Sequence, residues 1–363
     1  MSSILYYITG HGFGHAVRSA QVIRALRSAA PDLKVHVRTP APAWLFGDGF
    51  NAPAYSARAL DVGIVQPNSL EFNLSLTLQA CLDLRKRIPS LIEEEVALIK
   101  GHGIDLVIGD IPPLCFEIAA RANLPSMAIS NFTWDVIYTA YADARPEFAP
   151  LIDEMKSFYQ KASLALTLPY PCDMSVFPAR EAIPWITRAS SLTRAAARAA
   201  FGLPASATIV LLSFGGLGLK SLPWGKLQAL GDFYFVATGR EENCRPNFLL
   251  LPDPQPRYQD LVRAADVVVS KPGYGIVADA ISHQVPILYT DRGEFPEYPR
   301  LVEALNECAT AEYIPQSELL AGRLGPYLER LLSQKPHWPR VATNGADVAA
   351  QKILEALRAR GRF

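Results

Sequence analysis

The sequence has few cysteines, and their spacing gives them no shared role. Five cysteines are spread over 363 residues, at positions 81, 115, 172, 244 and 308. No two of them form the CxxC spacing that is typical of zinc knuckles and redox pairs. A chain of this length buries about 75% of its unfolded surface, so its core needs no disulfide staples. We therefore expect free, buried thiols and a reducing, cytoplasmic environment.

The sequence also lacks an excess of positive or negative charge. The 35 Lys and Arg residues balance 35 Asp and Glu residues, which gives a formal net charge of +0. Nucleic-acid-binding proteins carry a basic excess or a basic stripe, so we expect no nucleic-acid partner. Half of the chain is apolar and 19% is charged. This composition excludes intrinsic disorder, which requires low hydrophobicity and high net charge.

Long hydrophobic runs are missing as well. The first ten residues, MSSILYYITG, have no basic n-region, and their apolar run is too short for a signal peptide. The uncharged residues 203–219 contain proline and glycine, as a strand followed by a loop would. Residues 74–92 mix apolar side chains with Arg85, Lys86 and Arg87. A membrane surface could bind that segment, but a helix packed on its own domain is the favoured interpretation.

The chain does contain an alternation of short apolar runs with helical patterns, bounded by glycine and proline. This alternation predicts an α/β protein with parallel sheets covered by helices. Strands are predicted at residues 4–9, 34–38, 106–108, 126–129, 164–168, 208–213, 233–238, 267–270 and 286–289. Helices are predicted at residues 16–29, 74–100, 115–121, 153–161, 258–264, 277–283 and 345–360.

The pattern divides the chain into two α/β units joined by a proline-rich segment. Five prolines occur between residues 169 and 204, and proline both fixes φ and removes a backbone donor. We therefore predict a first domain at 1–168, an irregular linker at 169–204 and a second domain at 205–344. The last segment, 345–363, is an amphipathic helix with a basic tip, which we expect to pack back toward the first domain.

The first predicted strand runs into the glycine-rich turn Gly10-His-Gly-Phe-Gly-His15, with a helix expected from Ala16. Such a turn at the carboxyl end of a strand is where α/β proteins bind ligands. The spacing is not GxGxxG and no acidic residue follows the second strand, so a dinucleotide site is disfavoured. Gly12 and Gly14 make a helix between His11 and His15 improbable, which disfavours a metal pair. His15 is a candidate general base, the alternative being a cap on local backbone; His11 could support the turn or contact an acceptor.

Two further turns follow strands in the second half. Residues 209–213 lead into Phe214-Gly215-Gly216, whose amides could cradle a diphosphate or could form a purely structural turn. Residues 267–270 lead into Lys271-Pro-Gly273-Tyr274-Gly275, where a helix opens with its N-terminus ready for an anion.

Acidic residues lie near the second turn and beyond it. Asp279 is about one turn into the predicted helix, where it could bind two ribose hydroxyls or interact only with the helix dipole. After the strand at 286–289, the segment Asp291-Arg292-Gly-Glu294-Phe-Pro-Glu297 is a candidate hydroxyl-binding loop. The alternative is a solvated acidic turn.

Together these segments resemble GT-B glycosyltransferases, such as the peptidoglycan N-acetylglucosaminyltransferase and the plant UDP-glycosyltransferases. They are more similar still to the group of glycosyltransferase-like sequences that includes the N-terminal half of plant L-arabinokinases. The motifs are residues 10–16 with Arg18, DVGIVQ at 61–66, DIPP at 110–113, NFTWDVIY at 131–138 and SKPGYG at 270–275. The resemblance spans nearly the whole chain. It implies a GT-B fold, in which an acceptor-binding and a nucleotide-sugar-binding Rossmann-like domain face each other across a cleft.

The resemblance also implies roles for individual residues. His15 takes the position of the family's glycine-loop histidine, and Asp279 takes that of a ribose-binding glutamate, which is one methylene longer. Glu294 and Glu297 match a loop that contacts donor sugar hydroxyls. The expected donor-binding residues are Ser213, Phe214, Gly215, Gly216, Leu251, Lys271, Gly273, Tyr274, Gly275, Asp279, Arg292, Glu294 and Glu297, with the backbone near Leu251 reading the base edge. The expected acceptor-binding residues are His11, Gly12, Gly14, Arg18, Gln66, Asn131, Trp134 and Asp135.

Polar residues at two strand ends of the first half complete the candidate site. Asp110 ends the strand at 106–108, where it could orient His15, contact an acceptor or be structural. Asn131, Trp134 and Asp135 follow the next strand end. Trp134 could stack on a sugar or pack within the protein.

The sequence contains no DxD motif, the paired acids with which many glycosyltransferases hold a divalent metal. We expect no metal and no cofactor, with helix N-termini, Lys271 and Arg292 holding the diphosphate instead. The predicted reaction is an inverting displacement, with His15 as base and a nucleotide sugar, expected to be UDP-linked, as donor. No P-loop or galactokinase-like loop occurs, so phosphoryl transfer has no support. Two alternatives stay open: a nucleotide-sugar 2-epimerase using Glu294 or Glu297, and a non-catalytic nucleotide-sugar-binding regulator.

Overall fold

The computed structural model describes residues 2–47, 54–66, 72–214, 223–239, 243–252 and 257–361. Within these ranges the chain forms two seven-stranded sheets with helices packed on them. The α/β class and the parallel sheets predicted from the alternation of apolar runs and helical patterns are confirmed.

The first sheet is built by the first half of the chain and is parallel throughout, in the order β3-β2-β1-β4-β5-β6-β7. Its strands are β1 (Ser3–Ile8), β2 (Lys34–Arg38), β3 (Tyr55–Ser56), β4 (Leu106–Asp110), β5 (Ser126–Ser130), β6 (Leu164–Thr167) and β7 (Arg180–Ala182). The helices of this half are α1 (Phe13–Ala29), α2 (Leu74–His102), α3 (Leu114–Arg121), α4 (Trp134–Thr139) and α5 (Ala149–Tyr159).

Strand β1 shows why this sheet forms. All six of its residues are buried, as expected for a central strand of a parallel sheet that is covered on both faces. Successive side chains point to opposite faces, so Ile4, Tyr6 and Ile8 join one apolar cluster while Leu5 and Tyr7 join another. The first cluster includes residues of α1, and the second includes residues of α2, α3 and α5.

The second sheet has the order β10-β11-β9-β8-β12-β13-β14 and is parallel except for the antiparallel edge strand β10. Its strands are β8 (Thr208–Ser213), β9 (Phe233–Gly239), β10 (Asn243–Arg245), β11 (Phe248–Pro252), β12 (Val267–Ser270), β13 (Ile287–Tyr289) and β14 (Ala311–Tyr313). The helices of this half are α6 (Arg194–Ala200), α7 (Trp224–Gln228), α8 (Tyr258–Ala264), α9 (Tyr274–His283), α10 (Tyr298–Cys308), α11 (Gln316–Leu320), α12 (Gly325–Ser333) and α13 (Gly345–Ala359).

The segment predicted as an irregular linker, 169–204, carries regular structure. Strand β7 pairs with β6 and extends the first sheet, although its residues are exposed or half-buried and gave no apolar signal. Helix α6 begins after Thr193, whose hydroxyl accepts a hydrogen bond from the amide of Ala196 at 3.2 Å. It packs against α8 of the second half. The domain boundaries stay a prediction.

The last helix, α13, packs along α1 of the first half. Ile353 and Leu357 of α13 lie in the same buried cluster as Val22 and Leu26 of α1. Where the side chains are described, Cys81, Cys115, Cys172 and Cys308 are free thiols. None of the described helices is both long enough and apolar enough to cross a membrane.

Candidate active site

Helix α1 starts three residues earlier than predicted, at Phe13 instead of Ala16. His11 still lies outside the helix, so the two histidines are not a pair on one helix face. The cause of the earlier start is Gly12, whose φ of 75° lies in the left-handed region that glycine enters freely. The chain therefore turns sharply after β1, and Gly14 falls in the first helical turn. His15 lies on α1, whereas His11 precedes the helix.

His15 and Asp110 form a buried pair at the carboxyl ends of β1 and β4. His15 Nδ1 lies 2.8 Å from Asp110 Oδ1, and the two residues are 7% and 0% exposed. Burial lowers the pKa of His15, and the positive charge of Arg18 lowers it further, while Asp110 opposes the shift. Burial alone would raise the pKa of Asp110, but Arg18 and His15 outweigh it and hold that pKa at about 2. His15 is therefore a neutral imidazole beside a carboxylate at neutral pH.

Arg18 lies one turn after His15 and points at the same carboxylate. Its Nε donates to Asp110 Oδ2 at 2.7 Å, its Nη2 to Oδ1 at 2.5 Å, and its Nη1 to Asn131 Oδ1 at 2.8 Å. Ser130 Oγ accepts a further bond from Nη2 at 3.1 Å. Arg18 is 3% exposed, and its guanidinium is directed at these protein groups. The acceptor contact expected for Arg18 stays a prediction.

His11 sits in an aromatic pocket beside the pair. Its ring meets Trp134 edge-on at 5.0 Å and stacks on Phe295 at 6.1 Å between centroids. Its Nδ1 accepts a hydrogen bond from the amide of Ile64 at 3.3 Å. Gly63, with φ 67°, lies so close that a Cβ there would be 2.8 Å from His11 Nδ1. Burial lowers the pKa of His11 well below its ordinary value, and nearby cations lower it further, so its ring is neutral.

The tryptophan predicted to stack on a sugar is enclosed by protein. Trp134 is 0% exposed, and its Nε1 donates to Asp61 Oδ2 at 2.8 Å. In this conformation its ring offers no face to a sugar, which favours the packing alternative. Asp135 is 2% exposed at the start of α4, and Asn131 is fully buried. Gln66 is half-buried.

Asp61 belongs to the DVGIVQ motif but received no role from the sequence. Burial raises the pKa of Asp61 to about 6, although hydrogen bonds from Thr9 and Trp134 oppose the rise. Its carboxyl group thus titrates near neutral pH beside Trp134.

The N-terminus of α9 faces that of α1. Gly273 is the residue that precedes α9, and Tyr274 is its first residue. A Cβ on Gly275 would lie 3.8 Å from the Cα of Gly14. The Tyr274 ring stacks on Trp185 at 5.1 Å and lies 5.3 Å from the Arg18 guanidinium carbon. Two helix N-termini, one from each half, therefore converge on one place, and both favour an anion there.

Two cations of the second half lie in the same region. Arg292 is 11% exposed at its side chain; it donates to Glu297 and to the carbonyl of Pro272, and it lies 4.1 Å above the Phe295 ring. Its Nε is buried and has no hydrogen-bond partner among the described residues. Burial and, to a smaller extent, Arg292 lower the pKa of Lys271, Glu297 opposes them, and the resulting pKa is about 7.

Glu297 joins the two halves. It is 3% exposed, and its Oε1 accepts a hydrogen bond from Asn131 Nδ2 at 2.7 Å while Oε2 pairs with Arg292. Both oxygens are thus engaged within the protein, and a sugar hydroxyl would have to share one of them with Asn131 or Arg292. Glu294 is exposed, and its carbonyl accepts from Tyr141 Oη at 2.9 Å.

The predicted ribose-binding residue Asp279 is also paired within the protein. It is 1% exposed, and its carboxylate accepts bonds from the amide of Arg188 at 3.1 Å and from Nε at 2.9 Å. Nearby, Ser213 Oγ accepts from Tyr258 Oη at 2.5 Å, and the Arg188 guanidinium carbon lies 5.3 Å from the Tyr258 ring. A ribose contact by Asp279 stays a prediction and would require Arg188 to share the carboxylate.

This architecture and sequence are similar to those of known glycosyltransferases. Residues 2–171 match the family described as Glycosyl transferase family 1. L-arabinokinase of Arabidopsis thaliana is 31% identical over 96% of this chain, which spans only 34% of that protein. Among solved structures, the kitacinnamycin glycotransferase is similar with a TM-score of 0.62 and 17% identity, covering 99% of this chain and 95% of that one. UGT2 of Phytolacca americana, solved with UDP-2-fluoro-glucose and pterostilbene, has a TM-score of 0.60 and 12% identity, covering 99% and 94%.

The chain has the GT-B fold. The resemblance inferred from the motifs is confirmed: residues 2–171 match a glycosyltransferase family model, and the chain shares its fold with solved glycosyltransferases. The GT-B cleft lies between the carboxyl ends of the two sheets. It brings together His15, Asp110, Arg18 and Asn131 from one half with Lys271, Tyr274, Arg292 and Glu297 from the other.

The remaining residues that the sequence predicted for the cleft are either buried in the core, exposed, or outside the described residues. Leu251 is buried near the carboxyl end of β11, and Phe214 is buried in the core beside β8. Gly12 and Gly14 are exposed at the start of α1. Gly215 and Gly216 lie outside the described residues, so the diphosphate loop predicted there stays a prediction.

Sequence reasoning missed four residues of this cleft: Asp61, Arg188, Tyr258 and Phe295. Asp61 had a signal, because it begins a motif that the resemblance already singled out. Arg188 lay in the segment taken as a linker. In the part of the chain with described side chains, no group of three or more His, Cys, Asp or Glu residues has a metal-binding arrangement.

Proposed function

We propose that this chain transfers a sugar from a nucleoside-diphosphate sugar to a hydroxyl acceptor, by inverting displacement and without a metal ion. The observation that carries the proposal is the buried His15–Asp110 pair, which stands where the N-termini of α1 and α9 converge. A general base and an anion-binding place are thus adjacent. This is the arrangement that the reaction requires.

His15 is the proposed base. Its Nδ1 is within hydrogen-bond distance of Asp110, so a proton on Nδ1 directed at that carboxylate leaves Nε2 free to accept one. The acceptor hydroxyl gives its proton to Nε2, and its oxygen forms a bond to the anomeric carbon. The bond from that carbon to the β-phosphate oxygen breaks on the opposite face, and its electron pair leaves with the nucleoside diphosphate. Configuration at the anomeric carbon is therefore inverted.

The donor half supplies the positive potential for the leaving group. The N-terminus of α9 contributes backbone amides, and Arg292 contributes a buried Nε that no group in the described part of the chain satisfies. Lys271 adds a charge that depends on pH near neutrality. A UDP-linked donor is proposed because the structurally similar UGT2 was solved with a UDP-linked sugar.

The 2-epimerase alternative has less support. It needs acid and base carboxylates that face the donor sugar, and Glu297 is held by Asn131 and Arg292. A regulator would bind nucleotide sugars without transferring the sugar, so an assay of binding and turnover distinguishes it from an enzyme.

The test combines binding and turnover. Calorimetry with UDP, dTDP and GDP should show micromolar binding of one of them, unchanged by EDTA. A thermal-shift panel of nucleotide sugars should identify the donor, since a ligand at 100 times its Kd stabilises by about 2.7 kcal/mol. His15→Ala should keep that binding and lose transfer by about 100-fold or more. Binding of none of the three nucleotides refutes the donor site, and full turnover by His15→Ala refutes the base.

A further inference from the structure

The buried carboxylate of Asp110 has more partners than a histidine–aspartate pair requires. Besides His15 Nδ1, it accepts two hydrogen bonds from Arg18 and one from Ser19 Oγ at 2.9 Å. Asp110 is 0% exposed and Arg18 is 3% exposed, so both charges are removed from water. A buried carboxylate is expected to be paired, but His15 alone already offers it one partner.

The charge balance of the three groups has a chemical consequence. With neutral His15, the charges of Asp110 and Arg18 cancel; with protonated His15, a buried net positive charge remains. A carboxylate alone favours the imidazolium form of its neighbour. Arg18 offsets that effect, since its Nη2 lies 2.9 Å from His15 Nδ1.

Arg18 is itself held from both halves of the chain. Asn131 accepts from its Nη1, and the other end of the Asn131 amide donates to Glu297 of the second half. Tyr274, the first residue of α9, presents its ring 5.3 Å from the guanidinium carbon. Glu297 and Tyr274 belong to the proposed donor side, so the position of Arg18 depends on the donor half being in place.

We propose that Arg18 is a positioning residue: it clamps Asp110 and, through it, holds His15 in the orientation and the neutral form in which the imidazole accepts a proton. The proposal rests on the proposed function of His15 as base. The hydrogen-bond partners of Arg18 are protein groups: Asp110, His15, Ser130 and Asn131. The other charged or titratable groups whose fields reach the His15 ring are Asp110, Glu297 and His11.

The test uses Arg18→Met, which removes the charge, and Arg18→Lys, which keeps the charge but cannot hold both Asp110 oxygens and Asn131. Arg24→Met is the matched control, because Arg24 lies on the same helix, is exposed and bonds Gln21. Folding of each variant is checked by urea unfolding.

The first readout is the histidine NMR spectrum of ¹⁵N-labelled protein, with the His15 signals assigned by His15→Gln. Arg18→Met should raise the pKa of His15 by about 1 unit or more, because a positive charge within hydrogen-bond distance is lost. Arg18→Lys should leave that pKa near the wild-type value but change the ¹⁵N shifts, which report the ring tautomer. Arg24→Met should change neither. An unchanged His15 pKa in folded Arg18→Met overturns the proposal. If Arg18→Met does not fold, Arg18→Lys with wild-type ¹⁵N shifts overturns it.

The second readout is the pH profile of transfer. The acid limb of kcat/KM should move to higher pH in Arg18→Met by the same amount as the NMR pKa. Arg18→Lys should lower kcat about tenfold with little change in donor KM, since a misplaced base costs rate and not donor binding. Arg18→Lys with the kcat of the wild type contradicts the positioning role. If the wild type transfers no sugar, the proposed function fails, while the NMR titration still decides the role of Arg18.

Discussion

Binding of a nucleotide sugar should draw a proton onto Lys271. The perturbation is a diphosphate placed next to an amine whose pKa, mainly through burial, is about 7. A diphosphate diester carries two negative charges over the whole range from pH 6 to 9. If it lies about 4 Å from the amine, each charge contributes about 4 kcal/mol at an effective dielectric constant near 20. That exceeds what is needed to restore an ordinary lysine pKa of about 10.

The size of the effect follows from the two pKa values. With a pKa of about 7, roughly a tenth of Lys271 is protonated at pH 8 without ligand, and nearly all of it is protonated with ligand. Binding at pH 8 should therefore take up about 0.9 proton, and binding at pH 6 about 0.1. By the same linkage the Kd should be nearly 100-fold weaker at pH 9 than at pH 6, with the loss beginning near pH 7.

The assay is calorimetry at pH 8 in two buffers with different ionisation enthalpies, where the difference in heat gives the number of protons. Lys271→Arg is the matched control, because an arginine keeps the charge and does not titrate. It should bind with no proton uptake and with a Kd that is flat from pH 7 to 9. Proton uptake of zero in the wild type, or equal uptake in Lys271→Arg, would refute the reasoning.

Two other predictions concern stability. Gly63→Ala should cost about 1 to 3 kcal/mol in the free energy of unfolding, because the backbone is left-handed and the new Cβ would meet His11; Gly101→Ala, in open space on α2, should instead stabilise by about 0.4 to 1 kcal/mol. Arg188→Met should cost about 3 to 5 kcal/mol in urea unfolding, because Asp279 is left buried and unpaired, and adding Asp279→Leu should recover much of that loss. Equal stability of the two glycine variants, or no recovery in the double variant, contradicts the respective argument.

Much of the fold could be predicted because buried parallel strands read as continuous apolar runs. Strands β2, β8 and β12 have the bounds that the pattern indicates. β8 and β12 are largely apolar and buried, whereas β2 alternates polar side chains with valine. Short strands carry no such signal. β3 has two residues and β7 is polar, so only their pairing with a formed sheet makes them strands.

The site was predictable in membership but not in contacts. Glycine turns at strand ends indicated His15, Lys271 and Tyr274, because α/β proteins bind ligands at the carboxyl ends of their strands. The sequence did not show which charged residues form ion pairs. Asp279 meets Arg188 across 91 residues, and no local pattern encodes a partner at that distance. Asp279 therefore looked free for a ribose when it is already engaged.

The contact between α1 and α13 has a consequence for the order in which the chain can fold. Helix α1 leaves the ribosome long before α13, yet the apolar surface around Val22 and Leu26 is completed by Ile353 and Leu357. Until α13 is synthesised, that surface must stay exposed or be covered by something else, such as a chaperone. The first half is therefore expected to aggregate when produced without α13, even though its sheet is complete. Supplying α13 as a separate peptide would be a direct way to rescue it.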